Sequence, residues 1–546
     1  MQAPRSRTLA DLAFEQAERY GDAPAVICGD RSVGYRELAE RARRVAGGLR
    51  RLGIRRGERL GLLVNNRLEW VETFFGAAML GSVVTAFSTW SKRDELDFLI
   101  GDSGVDALIL LDRFGAQAFA DDVADLVPEA GGGPPWRARR YPKLRELIAL
   151  GDAAPGGWRR YEELHAAPPL EPLPPGDGPS AADDAIVIYT SGSSSRPKAV
   201  PLAQYGIVEN GFNIGERMGL TPQDRVLVAP PLFWSYGSAN ALAATLTHGA
   251  TLVLQGRFEA GEALALIERH RCTAIYTLPA MTSALVGHPE FRRERVRSLR
   301  TGLTIGSPQD VVAAATELGA AEICNVYGQT ESYGNCCVTP HDWPLEGRAR
   351  CQGPPLPGVS LRIVDAADGR ILPPGETGLI EVRGYIMRGY VGASAAQNAA
   401  ALAPDGYFRT GDVGMLTASG ELVFAGRTTE MIKKGGINIA PAEVEELLLR
   451  HPEVAEAGVI GVPDVVQGEV IAAFVVAKPS SAVTAEALRS HCRGAASAYK
   501  TPDLIEFCPA LPVTDTGKLL RRELKRMAEA LAREAAAPPK RSKNDG

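Results

Sequence analysis

Residues 189–200 read YTSGSSSRPKAV, a run of small hydroxyl side chains around one glycine that is closed by a proline–lysine pair. The run follows AIVIY (185–189), whose β-branched content predicts a strand, and precedes a helical pattern that begins near Gln204. Backbone N–H groups in a loop of small residues can converge on phosphate oxygens, and hydroxyl groups add donors. No Gly-Lys-Ser/Thr ends the loop and no GxGxxG is present, so it is neither a Walker A motif nor a dinucleotide fingerprint. We therefore predict a phosphate-binding loop, with a polar surface loop as the alternative for this stretch alone.

The composition of the 546-residue chain is that of a globular protein with room for several folding units, at ~100–200 residues each. A net charge of −5 argues against a general nucleic-acid binder, which is usually basic. No stretch approaches the ~18 uninterrupted apolar residues of a membrane span, and the N-terminus lacks an apolar signal-peptide run. We therefore expect a cytoplasmic protein, either a monomer or a homodimer.

The eight cysteines form no CxxC pair and have no histidine at metal-binding spacing, so the sequence supports neither a zinc site nor a disulfide framework. Cys336 and Cys337 are adjacent in the sequence. Because free cysteine is commonly buried, we expect these two side chains to be buried.

Strand-like and helix-like segments alternate over residues 1–280. ELAERARRVAGGLRRLG and WVETFFGAAML have helical apolar spacing, whereas SVVTAF and DALILL read as buried strands. This alternation predicts parallel sheets covered on both faces. Residues 128–136 and 167–180 are rich in proline and glycine and are predicted loops.

The pattern changes in the last third of the chain. From about residue 350, short segments such as GVSLRIVD, GLIEVRG and ELVFAG predict a β-rich, more antiparallel subdomain. A compact α+β module of normal domain size follows Gly426. We predict an N-terminal domain of residues 1–428, a mobile C-terminal domain of residues 429–535 and a disordered tail of residues 536–546.

Four more stretches carry polar residues of the kind that bind nucleotides: NVYGQTES (325–332), YFRTGDVG (407–414), GRTTEMIKKGG (426–436) and TDTGKLLRREL (514–524). Each combines a glycine or a tight turn with a carboxylate, an aromatic ring or a basic side chain. Any one of them is weak evidence. Their order and spacing across more than half of the chain are strong evidence for one composite site.

In this order the motifs resemble those of the adenylate-forming superfamily, which includes acyl- and aryl-CoA synthetases, peptide-synthetase adenylation domains and beetle luciferase. The family's loop usually reads YTSGTTGxPKGV, and its YGxTE, YxTGD, Gly-Arg and Gly-Lys motifs also have counterparts here. The resemblance covers nearly all of residues 8–528. It implies a multidomain α/β fold, in which a large N-terminal domain combines two αβ-layered subdomains with a β-rich one. A small α+β C-terminal domain would rotate.

The resemblance implies a two-step reaction. A small-molecule carboxylic acid attacks the α-phosphorus of ATP, which gives an acyl-adenylate and pyrophosphate, and an acceptor then displaces AMP. Coenzyme A is the expected acceptor for a chain without an appended carrier domain. A carrier-protein thiol or an amine is the first alternative, and a non-catalytic nucleotide-binding homologue is the alternative of another class.

The resemblance also assigns roles to individual residues. The β- and γ-phosphates would be held by the loop and its lysine: Thr190, Ser191, Gly192, Ser193, Ser194 and Lys198. Lys518 would bridge the acid and the α-phosphate, Thr330 would touch the α-phosphate, and Glu331 would ligate Mg²⁺. The residues implied around the adenosine are Gly306, Ser307, Pro308, Tyr327, Asp412 and Arg427.

The acid would be bound beside the segment PPLFWSYGSANAL (230–242) and the ends of neighbouring strands. The residues expected there are Trp234, Tyr236, Gly237, Thr304, Gly328 and Tyr333. After adenylation, a hinge near Thr429 would replace Lys518 by the segment that begins at Lys433.

The chain departs from the family pattern at Ser195 and Ala199, which replace two glycines of the loop. Trp234 and Gln204 stand where many members have histidine, and Thr429 stands at the hinge position. None of these changes removes a group that the chemistry needs. Trp234 bears on which acid is bound, because its position neighbours the implied acyl pocket.

Overall fold

The computed structural model describes residues 2–153, 155–171, 173–174, 177–190, 197–428, 430–434, 437–464, 467–496, 500–514 and 519–536. The chain forms two compact units. The first comprises Met1–Arg362, Glu381–Thr410 and Gly420–Leu422, and the second comprises Ile363–Ile380, Gly411–Ser419 and Val423–Gly546. The domain boundaries predicted at residues 428 and 535 stay predictions.

The first part of the chain alternates strands and helices as expected. Its elements are α1 (Leu9–Tyr20), β1 (Pro24–Cys28), β2 (Arg31–Gly34), α2 (Tyr35–Arg51), β3 (Arg59–Leu63), α3 (Leu68–Leu80), β4 (Val83–Ala86), α4 (Arg93–Ser103), β5 (Ala107–Leu111), α5 (Phe119–Leu126), β6 (Glu146–Leu150), β7 (Arg159–Arg160), α6 (Glu162–Ala166), β8 (Asp184–Thr190), β9 (Lys198–Ala203), α7 (Gln204–Met218), β10 (Arg225–Val228), α8 (Ala243–Thr247), β11 (Thr251–Leu254), α9 (Ala260–His270), β12 (Ala274–Tyr276), α10 (Pro279–Val286), α11 (Arg293–Val296), β13 (Thr301–Thr304), α12 (Pro308–Thr316), β14 (Glu322–Tyr327), β15 (Cys337–Val338) and α13 (Leu345–Arg350).

Two sheets organise this part. One has the order β7-β6-β5-β3-β4-β8-β9 and is parallel except for the β8–β9 pair. The other has the order β15-β14-β13-β12-β10-β11-β1-β2, with antiparallel strands only at its two ends. The α/β fold class and the parallel sheets expected from the alternating pattern are confirmed.

Helix α3 shows why the core forms where it does. All 13 of its residues are buried, from Leu68 to Leu80. Most of its side chains are apolar, and its two glutamates, Glu69 and Glu72, are paired with arginines. A helix with so little unpaired polar surface lies inside the protein. Trp70, Phe74 and Phe75 of this helix are among the largest fully buried side chains of the chain.

Two short helical segments of this part were not predicted from the periodicity of the sequence. Residues Pro128–Gly132 form a 3₁₀ turn, so the loop predicted for residues 128–136 is wrong over its first half. Proline fixes φ near the helical value and suits the first position of such a turn. Residues Tyr236–Leu242 form a π-helix that continues directly into α8.

The later part of the chain contributes two smaller sheets. The strands β16 (Ser360–Val364), β17 (Gly378–Arg383), β18 (Phe408–Leu416) and β19 (Leu422–Arg427) follow one another in a four-stranded sheet, and α14 (Ala395–Ala401) precedes β18. The remaining elements are β20 (Ile432–Lys434), β21 (Ile437–Ile439), α15 (Pro441–Leu449), β22 (Val454–Asp464), β23 (Gly468–Ala477), α16 (Ala485–Ala495), β24 (Leu504–Phe507) and α17 (Arg521–Ala536).

The second unit has a core of its own. Strands β20 to β24 form a five-stranded sheet, in which β22 and β23 pair antiparallel over their full length. Val444 and Leu448 of α15 pack with Val459 and Val475 of the sheet and with Leu488 of α16. This α+β module matches the composition change read after Gly426.

All eight cysteines are free thiols. Six of them are buried, including the adjacent Cys336 and Cys337, as expected from the sequence. Cys28 and Cys508 are partly exposed.

Among the described residues, no helix combines the length and the apolar character needed to cross a membrane.

Candidate nucleotide and acid site

Several of the predicted site residues lie at the carboxyl ends of parallel strands. Thr190 ends β8, Thr304 ends β13 and Tyr327 ends β14. Open α/β sheets bind their ligands at this edge, where loops leave the strands. The sheet topology therefore brings residues from distant motifs to comparable positions.

The predicted phosphate loop is anchored by a strand pair. Thr190 and Lys198 face each other at the end of the β8–β9 pairing, and the Thr190 hydroxyl donates to the Lys198 carbonyl at 3.5 Å. Ser191, Gly192, Ser193 and Ser194, which were predicted to hold phosphates, lie outside the described residues, as does Ser195. What the structure supplies is the base of the loop, with the Lys198 side chain beside it.

Lys198 and Glu331 contact different parts of one aromatic residue, Tyr390. The Lys198 ammonium lies 4.8 Å from the centre of the Tyr390 ring, within range of a cation–π interaction. The Tyr390 hydroxyl donates to Glu331 Oε1 at 2.9 Å. Glu331 is buried, with 8% of its surface exposed. Tyr390 was not among the predicted site residues, and its only signal in the sequence is an aromatic residue after a glycine.

The turn that carries Thr330 and Glu331 is held from several sides. It is a short 3₁₀ helix over Thr330–Ser332, and the Ser332 hydroxyl accepts from the Gln329 N–H at 3.0 Å. The side-chain amide of Gln329 donates to the Thr410 carbonyl at 3.0 Å. The hydroxyls of Thr330 and Ser235 lie 3.1 Å apart. Thr330 is thereby next to the segment predicted to line the acid.

That acid-side segment is fixed by one buried amide. Asn66 donates to the Pro230 carbonyl at 2.9 Å and lies within 3.4 Å of the Ala229 and Val228 carbonyls. Its Oδ1 accepts from the Leu232 N–H at 2.7 Å. Asn66 follows β3 of one sheet, and these carbonyls lie at the end of β10 of the other sheet or directly after it. The amide therefore joins the two sheets at the site.

Trp234 lies in an aromatic cluster. Its ring packs edge-on against Trp90, with 5.0 Å between the ring centres, and Trp90 also contacts Phe233 at 5.3 Å. Trp90 is 44% exposed, which is high for tryptophan. Trp90 was not among the predicted site residues, since nothing in the segment STWSKR indicates a contact with residue 234.

The other predicted acid-side residues are largely internal. Tyr236 donates its hydroxyl to the carbonyls of Thr277 and Leu303, at 3.1 and 3.0 Å. Tyr333 accepts from the Ala203 N–H at 2.8 Å and is 1% exposed. Thr304 is fully buried. These side chains support the site from inside, and their contact with an acid stays a prediction.

Two glycines of the site are required by close approach of backbone. A Cβ atom at Gly237 would lie 2.2 Å from the Pro231 carbonyl oxygen. A Cβ atom at Gly328 would lie 2.3 Å from the Gly334 carbonyl oxygen. Any larger residue would force these loops apart.

The residues predicted beside the adenine begin a helix. Ser307 caps α12, whose first residue is Pro308, and forms a capping box with Asp310. Burial raises the pKa of Asp310 despite the hydrogen bonds from Ser307. Gly306 lies against the same carboxylate, since a Cβ atom there would be 2.5 Å from Asp310 Oδ2. The Tyr327 side chain is buried.

In the second unit, two predicted ribose or phosphate contacts lie together. Arg427 Nε is 3.4 Å from Asp412 Oδ1, and Asp412 is buried. Lys433 lies on β20, opposite Asn438 of β21. The Lys433 side chain and the whole of Lys518 lie outside the described residues.

Glu331 is the one carboxylate that the resemblance assigns to Mg²⁺, and its surroundings among the described residues bear on that role. They contain no cluster of three or more His, Cys, Asp or Glu side chains able to hold a metal ion. Mg²⁺ in nucleotide sites usually binds one or two carboxylates plus substrate phosphates and water. Within the described part of the chain, the Glu331 side chain accepts a hydrogen bond from Tyr390 on Oε1, and a carboxylate has further lone pairs that can bind a cation. The site therefore fits a magnesium ion that arrives with a nucleotide.

Known proteins are similar to this chain over most of its length. A family model described as AMP-binding enzyme matches residues 13–391, and one described as AMP-binding enzyme C-terminal domain matches residues 443–518. The chain is 31% identical over 530 residues to the putative acyl-CoA synthetase YngI of Bacillus subtilis (strain 168), and the match covers 95% of this chain and 96% of that protein.

Two further relatives are similar over nearly their full length. The chain is 32% identical over 526 residues to a feruloyl-CoA synthase of Amycolatopsis sp, covering 96% of this chain and 99% of that protein. Among solved structures, the anthranilate CoA ligase AuaEII in complex with anthranoyl-AMP superposes with a TM-score of 0.84 at 27% identity. That superposition covers 98% of this chain and all of the other.

Proposed function

The chain belongs to the AMP-binding enzyme family and is an AMP-forming acid–CoA ligase, and we propose that Thr330, Glu331 and Lys198 form the centre of its adenylation site. ATP and coenzyme A are its substrates together with a carboxylic acid. In the proposed first step the acid carboxylate attacks the α-phosphorus of ATP, and pyrophosphate leaves. In the second step the thiol of coenzyme A attacks the acyl carbonyl, and AMP leaves.

The observation that supports this site is the Lys198–Tyr390–Glu331 arrangement beside Thr330. The first step brings an anionic carboxylate to a polyanion, so cationic groups must offset their repulsion. Lys198 supplies one such charge at the base of the loop. Lys518 is proposed to supply the second, between the acid and the α-phosphate.

Glu331 is proposed to hold Mg²⁺ together with the phosphates of ATP. When bound, this ion would neutralise phosphate charge. Thr330 would orient the α-phosphate through its hydroxyl, which Ser235 holds at 3.1 Å. Asp412 would accept hydrogen bonds from the ribose hydroxyls, and its neighbour Arg427 would contact the ribose or a phosphate.

The proposed acid side is the aromatic cluster of Trp234, Trp90 and Phe233. A half-exposed indole that packs edge-on against another offers a flat apolar wall. We therefore propose an acid with a bulky apolar body. The acceptor in the second step is coenzyme A; a carrier-protein thiol or an amine is the alternative that the test below separates.

The test uses the full chain with ATP, Mg²⁺ and a panel of aliphatic and aromatic carboxylic acids. We expect acid-dependent exchange of pyrophosphate into ATP, and AMP release that rises when coenzyme A is added. AMP release that requires an amine and ignores coenzyme A would favour an amide synthetase. ATP binding without acid-dependent exchange across the panel would refute catalysis at this site.

A second arm tests the domain rotation. Lys518→Ala should suppress adenylation by orders of magnitude and spare thioester formation from a supplied acyl-adenylate, because Lys518 acts only in the first step. Lys525→Ala is the matched control, since Lys525 is an exposed lysine of α17 in the same unit. Equal loss of both half-reactions in Lys518→Ala would contradict rotation.

A further inference from the structure

Residues 387–391 contact both halves of the proposed phosphate site. The Met387 N–H donates to the Glu331 carbonyl at 2.8 Å, and the Val391 N–H donates to the Ala199 carbonyl at 2.9 Å. Between these two backbone contacts, Tyr390 places its hydroxyl on the Glu331 carboxylate and its ring beside Lys198. One short segment thus joins the loop strand β9 to the Thr330–Glu331 turn.

The position of Tyr390 is set from behind. Its backbone N–H donates to the side-chain oxygen of Asn398 at 2.8 Å, and Asn398 lies on α14. Gly389 packs against the same amide, since a Cβ atom at Gly389 would come within 3.1 Å of Asn398. The backbone of Tyr390 is therefore held by α14, which carries none of the predicted site residues.

The arrangement separates two opposite charges. Among the ion pairs of the described residues there is none between Lys198 and Glu331, although both contact the same tyrosine. The face of the ring attracts the ammonium, whereas the hydroxyl donates to the carboxylate.

We propose that Tyr390 is a positioning residue that keeps Lys198 and Glu331 apart, so that the lysine remains available to the ATP phosphates and the carboxylate to Mg²⁺. This inference rests on the proposed function. A flexible lysine and a carboxylate left without the ring between them would pair directly. That pair would have to break each time MgATP binds.

The proposal predicts different results for two substitutions. Tyr390→Phe removes the hydroxyl and keeps the ring, so it should raise the Mg²⁺ concentration needed for half-maximal ATP binding several-fold and leave metal-free ATP binding within about twofold. Tyr390→Leu removes both, so metal-free ATP binding should also weaken, by roughly five- to tenfold. Calorimetric titration of ATP, with EDTA or with increasing Mg²⁺, measures both quantities without turnover.

A rescue experiment separates charge pairing from general damage. If Lys198 collapses onto Glu331 in Tyr390→Leu, adding Glu331→Gln should restore metal-free ATP binding to the value of Glu331→Gln alone. A purely structural defect would not be rescued. Tyr385→Phe is the matched control, because Tyr385 lies two positions before the segment and its hydroxyl donates to Glu209 at 2.9 Å. ATP binding by this variant should match that of the unmodified protein.

The outcomes keep this inference distinct from the proposed function. ATP binding by Tyr390→Phe and Tyr390→Leu that equals that of the unmodified protein, with and without Mg²⁺, would overturn the role of Tyr390 alone. The expected Tyr390 pattern without acid-dependent pyrophosphate exchange would overturn the ligase site and leave the Tyr390 role standing. Failure of the unmodified protein to bind ATP would overturn both. Should Tyr390→Leu not fold by circular dichroism, Tyr390→Met takes its place and Tyr390→Phe still decides the metal arm.

Discussion

Replacing Asn66 should destabilise the protein and loosen the acid side of the site. The loss of stability should depend on pH in Asn66→Asp and be independent of pH in Asn66→Ala. In Asn66→Ala, the Leu232 N–H loses its acceptor and the Pro230 carbonyl loses its donor. The Val228 carbonyl keeps a partner, because it also accepts from the Gln255 N–H at 3.1 Å. The Leu232 N–H and the Pro230 carbonyl thus lose their short hydrogen bonds, and the Ala229 carbonyl loses a longer one of 3.3 Å.

The magnitude follows from those two groups. An unsatisfied buried donor or acceptor costs about 1–3 kcal/mol, so the loss of the two short hydrogen bonds in Asn66→Ala should lower the free energy of unfolding by about 2–6 kcal/mol. The loss should be the same at pH 5 and pH 8, since no ionisable group is added. The activity readout is a higher KM for the acid, because the segment that carries Trp234 is no longer held.

Asn66→Asp makes the sharper test. The introduced carboxyl can still accept from the Leu232 N–H, but its second oxygen faces the Pro230 carbonyl and can donate to it only when protonated. Burial and the facing carbonyl should therefore raise its folded-state pKa above the unfolded value of about 3.9. The folded protein then binds the proton more tightly, so stability should fall as pH rises from about 4 towards the folded pKa, by up to about 1.4 kcal/mol per pH unit.

The assay is urea unfolding followed by tryptophan fluorescence at a series of pH values. The midpoint of Asn66→Asp should approach that of the unmodified protein at low pH and fall below it as pH rises. The midpoint difference of Asn66→Ala should stay constant. Equal, pH-independent shifts for both variants would refute the amide's role as a donor to these carbonyls.

Three other perturbations follow from the described contacts. Burial opposes ionisation of Asp224, but hydrogen bonds from Arg300 and its neighbours outweigh it and hold the pKa below the usual range. Asp224→Asn should therefore cost about 1–3 kcal/mol in urea unfolding at pH 7, a gap that closes as pH falls below about 3.9. Gly328→Ala should reduce pyrophosphate exchange at least tenfold and lower the thermal unfolding midpoint, because a Cβ atom there would lie 2.3 Å from the Gly334 carbonyl oxygen; wild-type behaviour in both assays would contradict this. Trp90→Ala should raise the KM for the acid about three- to tenfold without changing ATP affinity by calorimetry, since an aromatic pair contributes about 0.5–1.5 kcal/mol; an equal change for ATP would point to general damage.

The elements that the sequence indicated well are those with a strong local pattern. The alternation of β-branched runs and amphipathic segments led to the two parallel sheets, and the apolar WVETFFGAAML segment is the buried helix α3. The strand before the phosphate loop and the helix from Gln204 also follow the prediction. Local periodicity is sufficient to predict such elements, because whether a segment forms a helix or a strand depends largely on residues close to it in the sequence.

Contacts between distant residues could not be predicted in this way. Tyr390 and Glu331 are separated by 59 positions, and Asn66 and Pro230 by 164. Neither contact can be recognised from composition or residue spacing, because each one depends on how segments that are distant in the sequence pack together in the folded protein. The motif residues indicated where the site lies, whereas the residues that hold it in place emerged only from the fold.

The two partly exposed cysteines lie in different units, so that each unit carries a thiol that can be labelled. Six cysteines are buried, whereas Cys28 in the first unit and Cys508 in the second are partly exposed. Burial raises the pKa of both of these thiols, so labelling calls for a mildly alkaline solution. A donor and an acceptor dye on this natural pair would report the distance between the two units by energy transfer, with no engineered cysteine. The proposed domain rotation predicts that the efficiency of this energy transfer differs between the two half-reactions.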